Sequence, residues 1–189
     1  MRKWVLVLLA VAALGLAAVA AELEGVSLPN TVSAGGATLH LNGMGVRIKK
    51  VAFIHVKVYV AGLYVAEKST DPAKIVAADA PKQLVMHFLY KEVGKDKLLE
   101  GWNEGFTKNS GDKAAALKSR IDQFNGFWSD MKTGDRAVLT YVPGAGTKVE
   151  IKGKEMGVIE GKDFADALFS IWLGQNPPNE ELKNGLLGK

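Results

Sequence analysis

Arg47 and Tyr59 are the residues of this sequence whose types and positions best suit the binding of a small anion. Arg47 follows a Gly-x-Gly segment and opens a run rich in strand-forming residues. Alternate positions from 54 to 60 are apolar, and the positions between them carry a histidine, Lys57 and Tyr59. Side chains alternate between the two faces of a strand, so we expect Lys57 and Tyr59 to share a face. A guanidinium matches a carboxylate in shape and a phenol can donate a further hydrogen bond.

The same pattern has an ordinary structural interpretation. Arg47 could lie at an exposed strand end, and Tyr59 could be a core residue with its hydroxyl at the rim. The pattern alone favours this interpretation over a ligand site. The two residues approach each other only if the chain reverses between them. Twenty residues of strand at about 3.3 Å each would exceed a small domain, so we expect a reversal between Lys49 and His55. No Gly or Pro marks that turn.

Other chemistry finds little support in the sequence. The three histidines fall on separate predicted strands without a carboxylate cluster, so no metal site is expected. Gly43-Met-Gly45 lacks the third glycine of a dinucleotide site, and no Gly-x-Ser-x-Gly is present. Glu100 and Glu104 are predicted to lie on the outer face of a helix as solvated charges. The sequence therefore implies no cofactor.

The first 21 residues have the pattern of a secretory signal peptide. Arg2 and Lys3 precede an apolar run, and small residues at 18–21 offer a cleavage site. The run is short for an uncleaved transmembrane anchor, which is the rival interpretation. We therefore expect residues 22–189 to form one exported domain, beginning near Ala21 or Glu22, without a stable membrane anchor. Removing the first 21 residues leaves 22 basic and 20 acidic residues, a net charge of +2 that argues against nucleic-acid binding.

The remaining elements predict a mixed fold. A hairpin is expected around Gly35-Gly36, and a short helix opens at Pro72 after the capping residue Asp71. Further strands are predicted at 83–90, 136–142, 147–151 and 154–160. Further helices are predicted at 95–108, 112–131, 163–173 and 179–187, the last with Asn179 as its N-cap. Early strands, central helices and a late hairpin indicate the α+β class.

Two separated stretches resemble the chalcone isomerase superfamily. The first is Gly43-Met-Gly45-Val-Arg47, followed by a strand that reads KVYVAGLY at 57–64. The second is ALFSIWLG at 167–174, with the Pro177-Pro178 break and LKNGLL at 182–187. The likeness spans about residues 26–187 and is nearest to the bacterial chalcone isomerase-like proteins. It implies an open-faced β-sandwich, an antiparallel sheet with helices packed on one face and a ligand cleft between them. Together with the predicted signal peptide, this likeness to bacterial proteins implies a periplasmic or secreted location, in the bacterial envelope.

The resemblance also assigns expectations to single residues. In plant chalcone isomerases the arginine matching Arg47 holds an anionic substrate, and in related plant fatty-acid-binding proteins an arginine and a tyrosine hold a carboxylate. The isomerase's other polar positions fall at Leu98, Gly105 and Ile171, which are apolar here, although a one-residue slip would exchange Ile171 for its serine neighbour. The resemblance thus favours a non-catalytic protein that binds a fatty acid or similar amphipathic carboxylate.

Three interpretations of function remain open at this point. In the first, a fatty acid is bound through Arg47, Tyr59 and, as the weakest candidate, Lys57. In the second, the protein is an isomerase or lyase that uses Arg47 as a clamp for an unknown anionic substrate. In the third, the cleft is collapsed and the protein is a scaffold for another envelope protein.

Overall fold

The computed structural model describes residues 20–189, so the predicted signal peptide, except for its last two residues, lies outside the described range. A seven-stranded antiparallel sheet forms the centre, in the order β11-β10-β9-β6-β5-β4-β3. Its strands are β3 (Thr31–Ala34), β4 (Ala37–Val51), β5 (Ile54–Val65), β6 (Lys82–Phe88), β9 (Arg136–Val142), β10 (Gly146–Ile151) and β11 (Lys154–Ile159). Two small sheets pair β1 (Ala20–Leu23) with β2 (Val26–Pro29), and β7 (Glu92–Val93) with β8 (Met131–Lys132). The predicted α+β class and antiparallel sheet are confirmed.

Six helices occur among residues 20–189: α1 (Pro72–Ala77), α2 (Lys95–Ser110), α3 (Lys113–Ala116), α4 (Lys118–Gly126), α5 (Lys162–Leu173) and α6 (Glu180–Leu186). The single helix predicted over 112–131 is wrong. The helical segment is interrupted at Leu117, which separates α3 from α4, and α4 ends at Gly126, a residue with low helix propensity. The apolar residues that suggested it are nevertheless buried, since Trp128 packs from a loop and Met131 from β8. None of the described helices is long and apolar enough to cross a membrane.

The sheet buries both of its faces, but against different partners. The larger core lies under the helices and includes the aromatic residues Phe106, Phe124 and Trp172. Burying a large apolar side chain contributes about 1.5–3 kcal/mol, so this face supplies much of the stability. The β1–β2 hairpin covers part of the other face, where Leu28 and Tyr64 belong to a smaller core.

Strands β4 and β5 form a hairpin that projects beyond the rest of the sheet. The chain reverses at Ala52-Phe53, which confirms the reversal expected between Lys49 and His55. Ala52 adopts a φ of 51°, a conformation that glycine usually supplies, so no sequence signal marked the turn. Strand β6 pairs with residues 59–65 of β5. Residues 48–58, here called the arm, have no third strand beside them among the described residues.

Candidate functional site

A cavity of about 720 Å³ lies between the arm, helix α2 and the segment that leads into α6. Its volume falls within the range of about 300–1,000 Å³ that is usual for small-molecule sites. The lining includes Arg47, Val56, Val58, Tyr59, Leu98, Trp102, Gly105, Ile171, Pro177 and Pro178. Residues of the sheet and of helix α2 both contribute to this lining.

Glycines explain how the C-terminal segment reaches Arg47. Helix α6 packs directly on β4, and the contact is backbone against backbone. A Cβ atom at Gly45 would lie 3.0 Å from the Leu182 Cα, and Cβ atoms at Gly43 or Gly185 would also clash with backbone atoms of the opposite element. The Gly-x-Gly before Arg47 therefore lets α6 approach, and the residues just before α6 are brought beside the guanidinium.

Arg47 is held on one side of its guanidinium group. Its Nη1 donates to the carbonyl oxygens of Pro178 at 2.6 Å and Ile48 at 2.7 Å, with a longer contact to the Asn179 Oδ1 at 3.4 Å. Among residues 20–189, Nη2 and Nε have no hydrogen-bond partner, and no carboxylate forms an ion pair with this arginine. The result is a fixed cation that lines the cavity with one edge of its fork unoccupied by the described protein.

Asn179 has a different role from the one predicted. It occupies the residue before α6, but its side chain makes no capping bond to that helix. Instead, its Oδ1 accepts from the backbone N–H of Ile48 at 3.2 Å, and its Nδ2 donates to the Val46 carbonyl at 3.2 Å. Asn179 thereby joins the C-terminal segment to β4 on both sides of Arg47.

Tyr59 is the direct cross-strand partner of Arg47, so the two side chains lie on the same face of the sheet. Its hydroxyl accepts a hydrogen bond from the Trp172 indole Nε1 at 3.0 Å, and the residue is almost fully buried. Burial raises the pKa of Tyr59 to about 12, although the Trp172 hydrogen bond and the Arg47 charge both act to lower it. The phenol therefore keeps its proton at neutral pH, and among residues 20–189 its hydroxyl donates to no partner.

The prediction that Lys57 shares this face is wrong. The register shifts after the Arg47–Tyr59 pair, so Ile48 pairs with Lys57 and Val58 is left as an extra residue. Such a bulge reverses the alternation of side chains beyond it. Lys57 consequently points away and forms an exposed ion pair with Glu24 at 2.7 Å, while Val56 and Val58 line the cavity.

The three positions that the sequence resemblance matches to polar groups of the isomerases all line this cavity. Leu98 and Gly105 of α2 and Ile171 of α5 line its wall. Ser170, which a one-residue slip in the alignment would select, donates to the Asp166 carbonyl within α5 at 2.7 Å and does not line it. The inner wall is therefore apolar next to the Arg47–Tyr59 pair.

The charged residues of α2 lie at the rim of the cavity. Glu100 and Glu104 form ion pairs with Lys97 and Lys108, and all four side chains are more than half exposed. Exposed pairs of this kind contribute little to stability. The interpretation of the two glutamates as solvated charges is consistent with these contacts. Residues 20–189 contain no group of three or more potential metal ligands.

An antiparallel sheet with helices packed on one face is also the fold of a solved structure. The crystal structure of a fatty-acid binding protein from Arabidopsis thaliana matches with a TM-score of 0.71 and 17% sequence identity, covering 89% of this chain and 95% of that chain. At that identity the likeness establishes the fold and nothing more. The model of the chalcone isomerase-like family matches residues 20–188, and the chain belongs to that family. The family and fold inferred from the sequence are thus confirmed. No curated protein sequence matches significantly.

Proposed function

We propose that this protein binds a fatty acid or another amphipathic carboxylate in the cavity, without transforming it. The main support for the proposal is the position of Arg47 and its lack of an acidic partner within the described chain. It lines the cavity, it has no acidic partner among residues 20–189, and the Nη2 and Nε edge of its fork is open. A partly buried guanidinium without a counter-charge is costly, and a ligand carboxylate would remove that cost.

The polar groups have the geometry that a carboxylate needs. The free edge of Arg47 can bond both carboxylate oxygens, which is the favoured pairing of guanidinium and carboxylate. Tyr59 adds a neutral donor from the neighbouring strand, and Trp172 fixes the orientation of its hydroxyl. The carboxylate would therefore lie at the inner end of the cavity, against the sheet.

The apolar wall suits the tail of such a ligand. Leu98, Trp102 and Ile171 extend the lining from the polar pair along the helices. Each methylene removed from water contributes about 0.8 kcal/mol, so the tail would supply most of the affinity and the anchor most of the specificity. The solved neighbour is itself named a fatty-acid binding protein, which agrees with the proposal but cannot carry it at 17% identity.

A titration of free acid and methyl ester tests this assignment. Arg47→Met should weaken binding of the acid by about 2–5 kcal/mol, because it removes a charged partner from a partly buried pair. Tyr59→Phe should cost only about 0.5–1.5 kcal/mol, the contribution of one neutral hydrogen bond. The ester should bind the native protein worse than the acid does, and Arg47→Met should abolish that difference. Arg136→Met, an exposed arginine outside the cavity lining, is the matched control. Equal affinities for acid and ester in the native protein would refute the proposal.

The alternative of a chalcone isomerase-type reaction has Arg47 in its favour but lacks the other groups. Leu98, Gly105 and Ile171 offer no side-chain donor to orient a substrate, and each lost contact of that type commonly costs a factor of about 100 or more. Purified protein should not accelerate flavanone formation from a chalcone above an Arg47→Ala control. A rate that depends on Arg47 would instead establish the enzyme.

We also propose that the protein is exported and processed. Cleavage before Ala21 or Glu22 would leave the pairs of Glu22 with Ser27 and of Leu23 with Val26 in the β1–β2 hairpin. N-terminal sequencing of protein from the cell envelope should therefore begin at one of these two residues. Recovery of the chain with Met1 in a membrane pellet would contradict the proposal.

A further inference from the structure

The tip of the arm exposes apolar side chains to solvent. Phe53 is fully exposed, and Ile54 and Val51 are 66% and 51% exposed. Among residues 20–189, these three make up most of the large hydrophobic side chains that are exposed. Because the arm has no third strand beside it, nothing in the described chain covers them. Exposed apolar groups gathered at one projecting point indicate a contact with an apolar partner.

The charged residues that flank the tip in the sequence are all basic. Lys49 and Lys50 precede it, and the sequence from Asn42 to Ala66 contains no aspartate or glutamate. Glu100 of α2 and Glu181 of α6 are near enough to interact with these lysine charges, but neither forms an ion pair with Lys49 or Lys50 in the described structure. An apolar tip flanked by free cations matches a surface that has an apolar interior and anionic groups above it.

We propose that the arm docks on the surface of a lipid bilayer with anionic headgroups. Phe53 and Ile54 insert at the headgroup boundary, and Lys49 and Lys50 contact the lipid phosphates. This inference builds on the proposed function, since Val51 and Lys49 also line the cavity. The arm would thus bring the cavity to the membrane, where an amphipathic carboxylate can pass between bilayer and protein.

A bilayer fits the tip better than a protein partner does. A stable protein interface buries about 800 Å² on each side, and lysine is depleted from the centre of such interfaces. Three apolar side chains on a narrow two-stranded projection cannot supply that area by themselves. Insertion into a fluid surface requires no complementary pocket, and lysine side chains can extend from an inserted tip to the headgroups.

Vesicle flotation tests the docking surface with the processed protein. Vesicles of phosphatidylcholine mixed with phosphatidylglycerol should carry the protein to the top of the gradient, and added salt should reduce this. The double variant Phe53→Ser, Ile54→Ser should weaken partitioning by at least about tenfold. Val158→Ser is the matched control, because Val158 is 41% exposed on the edge strand β11, and it should float like the native protein. Replacing Lys49 and Lys50 by glutamine should reduce binding to the mixed vesicles more than binding to pure phosphatidylcholine.

The outcomes separate this inference from the proposed function. The double variant should bind fatty acid in solution as the native protein does, because Phe53 and Ile54 do not line the cavity. Equal flotation of the double variant and the native protein would overturn membrane docking, whatever the fatty-acid result. Native protein that fails to float but forms dimers lost in the double variant would also overturn it, and would assign the tip to a second copy. If flotation depends on Phe53 and Ile54 but the protein binds no fatty acid, membrane docking is supported and the proposed fatty-acid binding is refuted.

Discussion

Replacing Gly45 by alanine should disturb both the stability of the fold and the site at Arg47. The added Cβ would lie 3.0 Å from the Leu182 Cα, 3.1 Å from its carbonyl carbon and closer still to its carbonyl oxygen. These are backbone atoms of α6, so no side-chain rotation can relieve the contact. Helix α6 must move away from β4, or β4 must bend.

The cost can be estimated from what that movement disturbs. Overpacking a tight contact commonly costs about 1–3 kcal/mol. We expect about 3 kcal/mol here, because the clash is with backbone and because Leu182 and Leu186 of α6 are fully buried and would have to shift with the helix. Displacing α6 also moves the Pro178 carbonyl, whose hydrogen bond to the Arg47 guanidinium is of the kind worth about 1.5–3 kcal/mol. Fatty-acid affinity should therefore fall by at least about tenfold.

Urea unfolding and fatty-acid titration of the same samples measure the two effects. Gly126→Ala is the control, since Gly126 ends α4 on the surface and a Cβ there meets no atom within 4 Å. That variant should bind normally and be up to about 1 kcal/mol more stable. If Gly45→Ala unfolds like the native protein, the close approach of α6 is unnecessary. If it is destabilised but binds fatty acid normally, the coupling of α6 to Arg47 is wrong.

Three further predictions concern charge and protonation. Asn179→Asp should place a carboxylate beside Arg47 and weaken fatty-acid binding in the same titration, and unchanged affinity would argue against an open guanidinium. Lys82→Met should lower the free energy of unfolding by about 2–4 kcal/mol, because the buried Lys82 Nζ donates to three carbonyls at the end of α1; a wild-type urea midpoint would contradict this. Burial raises the pKa values of Tyr59 and Tyr64 to about 12, so the folded state keeps protons that the unfolded state loses above about pH 10. The free energy of unfolding should therefore fall between about pH 10 and 12, and a Tyr59→Phe variant with an equally steep fall would refute the contribution of Tyr59.

Local signals in the sequence were sufficient to predict most of the elements. Gly35-Gly36 forms the turn of the β3–β4 hairpin, and Asp71 caps α1 through its Oδ1 as predicted. The reversal near Ala52 followed from the limit on strand length. The helix over 112–131 failed for a different reason. The apolar residues that suggested this helix are buried, as their spacing predicts. They lie on two short helices, a loop and a strand rather than on one helix.

The site was predictable where its residues lie close together in the sequence. Arg47 and Tyr59 meet because one reversal separates them, and the register makes them direct partners. The groups that support them come from more than 100 residues away: Pro178 accepts from Arg47, and Trp172 donates to Tyr59. Neither has a local signal for this role. The nearest indication was Asn179, whose type suggested a helix cap but whose side chain is engaged with β4.

The bulge that turns Lys57 away from the cavity shows how one extra residue in a strand changes which side chains line the cavity. In a regular hairpin Lys57 would lie on the same face as Tyr59, one position removed along that face. The cavity would then have two cations, Arg47 and Lys57, close to the Tyr59 hydroxyl. The bulge at Val58 moves every residue beyond it to the opposite face. Lys57 then pairs with Glu24 outside the cavity, and Val56 and Val58 replace it inside. The Arg47–Tyr59 pair is left with valines next to it on the arm and apolar residues facing it from α2 and α5. A polar pair with apolar side chains next to it suits a ligand that has a single carboxylate and a hydrocarbon tail, because the carboxylate finds its donors at one end and the tail is buried against apolar groups.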